Sequence, residues 1–258
     1  MRKNKLLALG LAALMAASVA GCSTPSASVD DTKAAESGSD SSQRAAAGEK
    51  IFRYSNTADI ATIDPDKTNS VADATVSYHI YDGLYRNVQG ELQPATAESY
   101  EVSDDGLVYT FKLRQDTKWS DGQTVTAKDY EYGMKRLCDP AAACPASYLG
   151  AVLKNGAKVS EGELPVDELG VKALDDFTLE ITLENPADYF VSMTSMSAFM
   201  PVREDLVEKY GNEFGGSADK QVYNGPFVVS EYSNGKVELT KNPDYYDNEK
   251  ISLDGVEI

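Results

Sequence analysis

Three cysteines, a single histidine and a surplus of carboxylates are the residues of this chain whose chemistry could be put to use. His79 stands alone, which rules out a two-histidine metal site and leaves no evident base for a serine or cysteine nucleophile. The chain has no G-x-S-x-G, no H-E-x-x-H and no phosphate-cradling glycine loop. Asp64-x-Asp66 has the opening of a calcium loop, but that loop needs Gly at its sixth position and Glu at its twelfth, where Asn69 and Thr75 stand. No metal, cofactor or enzymatic activity is therefore expected. Cys138 and Cys144, separated by five residues, could pair as a disulfide in an oxidising compartment or remain as two buried thiols. Metal binding by two cysteines without a histidine partner is the weaker reading.

With 24 basic and 41 acidic residues the net charge is −17. Nucleic acids and anionic membrane surfaces both need a basic footprint, so neither is an expected partner.

Residues 1–21 read as a targeting segment. Arg2, Lys3 and Lys5 make a basic start, and Leu6 to Ala17 an apolar run too short to span a membrane as a stable helix. Val19-Ala20-Gly21-Cys22 is similar to a lipobox, so Cys22 is the expected lipid anchor; the alternative is an ordinary signal peptide cut near Ala20. Residues 22–48 are rich in Ser, Ala and Asp and poor in bulky apolar side chains, the composition of a disordered tether. Residues 49–258 form the expected folded part.

Within that part, periodicity places the elements. Ile51 to Tyr54 reads as a first strand, ended where Pro65 biases Asp64 to extended backbone. Val71 to Leu84 reads as a helix with Val76, Ile80 and Leu84 on one stripe. Tyr100 to Leu113 reads as a hairpin turned at Asp104-Asp105-Gly106, with Tyr109, Phe111 and Leu113 on one face. Thr126 should cap a second helix, with Asp129 partly mimicking a capping box and Tyr130, Met134 and Leu137 as its buried stripe. A second hairpin is expected at 171–183, and an apolar run at 189–200 that reads as core. A short helix should cover Arg203 to Tyr210, and a third hairpin should turn at Asn234-Gly235. Gly255 to Ile258 reads as a further strand.

Taken as a string, Ala97-Glu98-Ser99-Tyr100, Asp105-Gly106, Tyr109-Thr110-Phe111, Leu113-Arg114 and Lys118-Trp119-Ser120-Asp121-Gly122 resemble the signature of the extracellular solute-binding proteins, family 5. These are the peptide- and nickel-binding subunits of ABC importers. Further matches are Ile63-Asp64-Pro65, Tyr81-Asp82-Gly83-Leu84, Leu169-Gly170-Val171-Lys172-Ala173, Asn224-Gly225-Pro226-Phe227 and Asn242-Pro243-Asp244-Tyr245-Tyr246. The run Asp139 to Leu149 resembles the oligopeptide-binding branch, with one tyrosine missing and Cys144 in place of a serine.

The resemblance implies an α/β fold of the periplasmic-binding-protein type (class II, large peptide binders). This chain would supply the first lobe, with a mixed sheet and hairpins, and the second lobe would be absent, through a truncated frame or a partial sequence. It also implies that Asn69, Ser70 and Val71 form an extended edge pairing with the backbone of a peptide ligand. The implied partners are that peptide and the permease subunits of an ABC importer. The protein would be a monomer touching the membrane only through its lipid anchor, in the cell envelope at the outer face of the cytoplasmic membrane or in the periplasm. Dipeptides, nickel or another small solute are the alternative ligands within the family, and a plain interaction module the alternative role.

Overall fold

The computed structural model describes residues 48–258 apart from Thr57 and Asn234; the expected signal peptide, the tether to Ala47 and the anchor Cys22 lie outside the described residues. The elements, in chain order, are β1 (Ile51–Arg53), α1 (Val71–Ile80), β2 (Tyr85–Val88), β3 (Glu91–Pro94), β4 (Ala97–Val102), β5 (Val108–Leu113), α2 (Ala127–Cys138), α3 (Gly156–Ser160), β6 (Val171–Asp175), β7 (Thr178–Thr182), α4 (Phe190–Met193), α5 (Glu204–Tyr210), β8 (Phe227–Ser233), β9 (Lys236–Lys241) and β10 (Gly255–Glu257). One-turn 3-10 helices fill several connections, among them Pro65–Lys67 and Ser197–Phe199.

Two four-stranded sheets result. One runs β4-β5-β7-β6 and is antiparallel throughout. Gly106, at φ +72°, makes its first turn, and the alternation along β5 sends Tyr109, Phe111 and Leu113 inward. Phe111 is fully buried, and Tyr109 meets Phe190 edge-on with ring centroids 5.1 Å apart. Helix α2 lies against β6 and β7. Its capping box is present, with Asp129 Oδ2 accepting from the Thr126 N–H at 2.7 Å. Tyr130, Met134 and Leu137, one stripe at helical spacing, are each fully buried. Trp119 joins the same core. A buried side chain of such size contributes roughly 1.5–3 kcal/mol over an exposed one.

The other sheet runs β1-β10-β9-β8. Here β8 and β9 are a local hairpin, whereas β1 pairs in parallel with β10, Ile51 opposite Gly255 and Arg53 opposite Glu257. Across that pair Arg53 grips Glu257 in a two-pronged ion pair, 2.7 Å at each contact. This second sheet is therefore mixed, and both sheets are rich in hairpins, as expected. Among the described residues no helix is long and apolar enough to cross a membrane.

Helix α1 stops four residues short of the expected Leu84. Tyr81 leaves helical geometry at φ −127°, ψ 151°. The Ile80 carbonyl instead accepts from the Gly225 N–H at 2.9 Å. A Cβ on Gly225 would lie 2.5 Å from the Ile80 carbonyl carbon, so only glycine lets these segments meet. Val76, Ile80 and Leu84 are nonetheless fully buried.

Candidate functional site

The segment from Ala61 to Asp73 carries the three residues expected to face a ligand. Its shape is set locally. Pro65 opens a 3-10 turn, Asp64 before it is extended (φ −74°, ψ 117°), and the Asp64 carboxylate accepts from the Asp66 N–H at 3.1 Å. Thr68 then turns out of the helix, its hydroxyl donating to the Pro65 carbonyl at 3.0 Å. Ser70 is extended (φ −133°, ψ 160°) and caps α1: its Oγ accepts from the Asp73 N–H at 3.1 Å and donates to Asp73 Oδ2 at 2.8 Å. The buried Asp73 also accepts from the Ala61 N–H at 2.8 Å, tying both ends of the segment together. Asn69 and Ser70 thus form a short extended lead-in, and Val71, 85% exposed, is the first helical residue.

Beneath this segment lies a buried ion cluster. Arg136, on α2, donates to Asp64 Oδ1 at 2.9 Å, to Asp64 Oδ2 at 2.7 Å and to Asp66 Oδ2 at 2.8 Å. Its guanidinium also sits 5.5 Å from the ring centre of Phe214. Burial works against the Arg136 charge, but the bonds and charges of Asp64 and Asp66 outweigh it and hold its pKa above the usual value. Two carboxylates share one guanidinium. Burial, helped by the Asp64 charge and opposed by Arg136, lifts the Asp66 carboxyl to about 7. Gly215 closes the far side: its carbonyl accepts from the Ile63 N–H at 3.1 Å, and a Cβ there, at φ +73°, would lie 2.4 Å from the Asp64 Cβ. Lys67 reaches the Ala142 carbonyl, joining the segment to the loop after α2. A cleft of about 500 Å³ opens beside the cluster, lined by Thr62, Lys67, Tyr132, Asp139 and Phe214 among others.

A second buried cluster centres on Asp82. Its carboxylate accepts from the Tyr245 and Tyr246 hydroxyls at 2.7 and 3.0 Å. Arg86 donates to both hydroxyls and pairs with Asp247 at 3.1 Å. Asn224 brackets the Asp82 backbone, its Oδ1 accepting from the N–H at 3.1 Å and its Nδ2 donating to the carbonyl at 3.0 Å. The Tyr130 hydroxyl donates to the same carbonyl at 3.0 Å. Burial raises the Asp82 pKa, with Arg86 and the two tyrosines pulling the other way.

Residues 91–258 match the model of the bacterial extracellular solute-binding proteins, family 5 Middle. The chain belongs to this family. It is 36% identical over 98% of its length to the periplasmic oligopeptide-binding protein OppA of Salmonella typhimurium, covering 45% of that protein. It is 39% identical over 82% of its length to the probable deoxycholate-binding periplasmic protein YgiS of Escherichia coli, covering 40% of it. The structure of Listeria monocytogenes OppA bound to peptide aligns with a TM-score of 0.79 at 36% identity, over 81% of this chain and 42% of that one. The fold is thus that of the periplasmic oligopeptide-binding proteins, and the chain spans less than half the length of the relatives it matches. Its family and relatives are solute-binding proteins rather than enzymes.

Family membership explains the Asp82 cluster. It joins Tyr81-Asp82-Gly83-Leu84, Asn224-Gly225-Pro226-Phe227 and Asn242-Pro243-Asp244-Tyr245-Tyr246, three of the stretches that carried the resemblance. Those stretches hold the lobe together. The ion cluster beneath the candidate edge is what sequence reasoning missed, although Ser70-x-x-Asp73 spells a capping pattern that could have flagged the start of α1. His79 is structural, its ring stacked on Tyr54 at 6.2 Å and its Nδ1 2.7 Å from the Thr75 carbonyl. Among the described residues no cluster of three His, Cys, Asp or Glu could hold a metal.

Of the two states left open for the cysteine pair, disulfide or free thiols, the structure has the second. Cys138 and Cys144 are buried free thiols. Cys144 Sγ lies 3.4 Å from the Arg136 carbonyl, whereas Cys138 Sγ packs against Gly150, where a Cβ would come within 2.2 Å of it. Each thiol has its own neighbour, and burial pushes them up to about 11 and about 12, well away from reactive thiolate.

Proposed function

We propose that this lobe belongs to a receptor that captures extracytoplasmic oligopeptides and hands them to the permease subunits of an ABC importer. The observation that carries this reading is the 36% identity to a periplasmic oligopeptide-binding protein across 98% of the chain. The Asn69–Val71 edge suits the task. Its backbone is held from behind by Asp73 while Val71 faces outward, so main-chain groups would pair with a peptide whatever its side chains. Val71→Pro gives a sharp test of the edge. Proline is tolerated at the first helical position, and Ser70 is already in the extended geometry a following proline demands. The change removes one donor and leaves the helix, so it should weaken peptide binding roughly 5- to 100-fold.

The measurement is calorimetry on a chimaera in which residues 49–258 replace the matching part of Salmonella typhimurium OppA, titrated with a mixed tri- to pentapeptide pool and separately with deoxycholate. Saturable peptide binding weakened by Val71→Pro supports the reading. Binding of deoxycholate alone would favour the steroid-type ligand that similarity to YgiS brings into view.

The remaining parts of the proposal concern the envelope. Residues 1–21 act as a lipoprotein signal peptide, Cys22 carries a diacylglyceryl anchor, residues 22–48 form a tether, and the protein works as a monomer outside the cytoplasmic membrane. Cys22→Ala should move the protein from the membrane to the soluble fraction. Unchanged membrane retention without fatty-acid labelling would sink this part.

A further inference from the structure

We infer that Arg136 is a positioning residue: by clamping Asp64 and Asp66 it fixes the Asn69–Val71 edge, and the spare oxygen of Asp66 makes that hold depend on a proton. Its bearing on ligand capture rests on the reading of Asn69–Val71 as the peptide-pairing edge.

The geometry is direct. Asp66 lies three residues before Asn69, in the 3-10 turn whose Pro65 carbonyl anchors the Thr68 hydroxyl. That hydroxyl also meets Ser197 Oγ at 3.0 Å. A shift of the turn therefore moves the edge. Arg136 makes three bonds to the two carboxylates, to three of their four oxygens; the fourth, Asp66 Oδ1, is fully buried without a hydrogen-bond partner among the described residues. A neutral carboxyl is less costly to leave unpaired than a carboxylate, so the site favours one bound proton.

The groups that face Asp66 bear this out. On its own turn are Asp64 and Lys67; from α2 come Tyr132, Arg136 and the Cys138 thiol, and beyond α2 the Cys144 thiol. Tyr81 faces it from the end of α1. Segment 197–199 contributes only Ser197, which does not titrate. Burial raises the carboxyl, so protonation favours the folded segment. The contribution is complete below about pH 4 and is lost as pH rises through about 7.

Amide hydrogen exchange on the 258-residue chain tests this. Protection factors for residues 66–72 should fall roughly tenfold between about pH 5.5 and about pH 8, while those of β5 and β7 stay level. Asp66→Asn, which keeps the shape and the bond to Arg136, should flatten that profile without unfolding the chain. Arg136→Lys, which cannot reproduce the fork, should lower protection of the segment at both pH values. If that variant fails to fold, Asp66→Asn decides alone. A level wild-type profile would overturn the inference, as would a slope that survives Asp66→Asn, which would assign the titration elsewhere. Peptide added to the OppA chimaera should slow exchange at 69–71. Its failure to do so would remove the ligand reading while leaving the pH slope standing.

Discussion

Asp82 and Arg136 each anchor a buried polar cluster, and the two are balanced differently. Around Asp82 a single carboxylate meets two tyrosine hydroxyls, with Arg86 behind them and Asp247 behind Arg86. Acceptors and donors alternate outward to the surface. Around Arg136 a single guanidinium serves two carboxylates, and one oxygen is left over. The first arrangement is a fastening that needs no change of charge state. The second carries an excess of negative charge on buried side chains, and such an excess is relieved by a proton or by movement. Fastenings belong where strands and turns must stay put; a poised charge belongs beneath a segment that has to meet something.

That contrast can be broken by experiment. Arg136→Met should have the largest effect, because it strands two buried carboxylates; a loss of roughly 3–5 kcal/mol is expected from urea unfolding. Repeating the measurement near pH 4 should recover part of it, since burial lifts the Asp66 carboxyl to about 7 and it is then neutral. Asp82→Ala should cost less, roughly 1–3 kcal/mol, because Arg86 keeps Asp247 while the tyrosine hydroxyls lose an acceptor. If Asp82→Ala proved as damaging as Arg136→Met, the two clusters would not differ as argued. Tyr246→Phe removes a hydroxyl that accepts from Arg86 and donates to Asp82, and should cost about 1–2 kcal/mol; the loss should shrink as pH falls, because that hydroxyl helps hold the Asp82 carboxyl ionised. Smallest of all is the effect of reductant. With Cys138 and Cys144 as free thiols, the unfolding midpoint should be the same with and without it, and both cysteines should take up an alkylating reagent once the chain is unfolded.

The two clusters also mark the boundary of what the sequence discloses. The sheet β4-β5-β7-β6 is readable because each of its turns and alternations is written in consecutive residues: Gly106 at positive φ, Tyr109, Phe111 and Leu113 at period two, Thr126 and Asp129 before the stripe of α2. Asp82 was visible as part of a motif, but its partners Tyr245 and Tyr246 lie far along the chain, so its role was not. Arg136 carried no signal at all. On an amphipathic helix an arginine beside Lys135 reads as solvent-facing, and only the fold brings Asp64 and Asp66 under it. The end of α1 was misplaced for a related reason: Gly225, distant in sequence, takes the Ile80 carbonyl that a longer helix would have used.

The parallel pairing of β1 with β10 has a consequence for how the chain reaches this structure. The hairpins β4–β5, β6–β7 and β8–β9 can close as soon as they leave the ribosome, each over a short loop. Ile51 to Arg53 can dock only after Gly255 to Glu257 has been made, so the earliest strand of the lobe is ordered last. Between those two moments the Phe52 and Tyr54 side chains and an open strand edge wait uncovered. The lobe's first residues are thus the ones a chaperone or a translocation channel would find still extended.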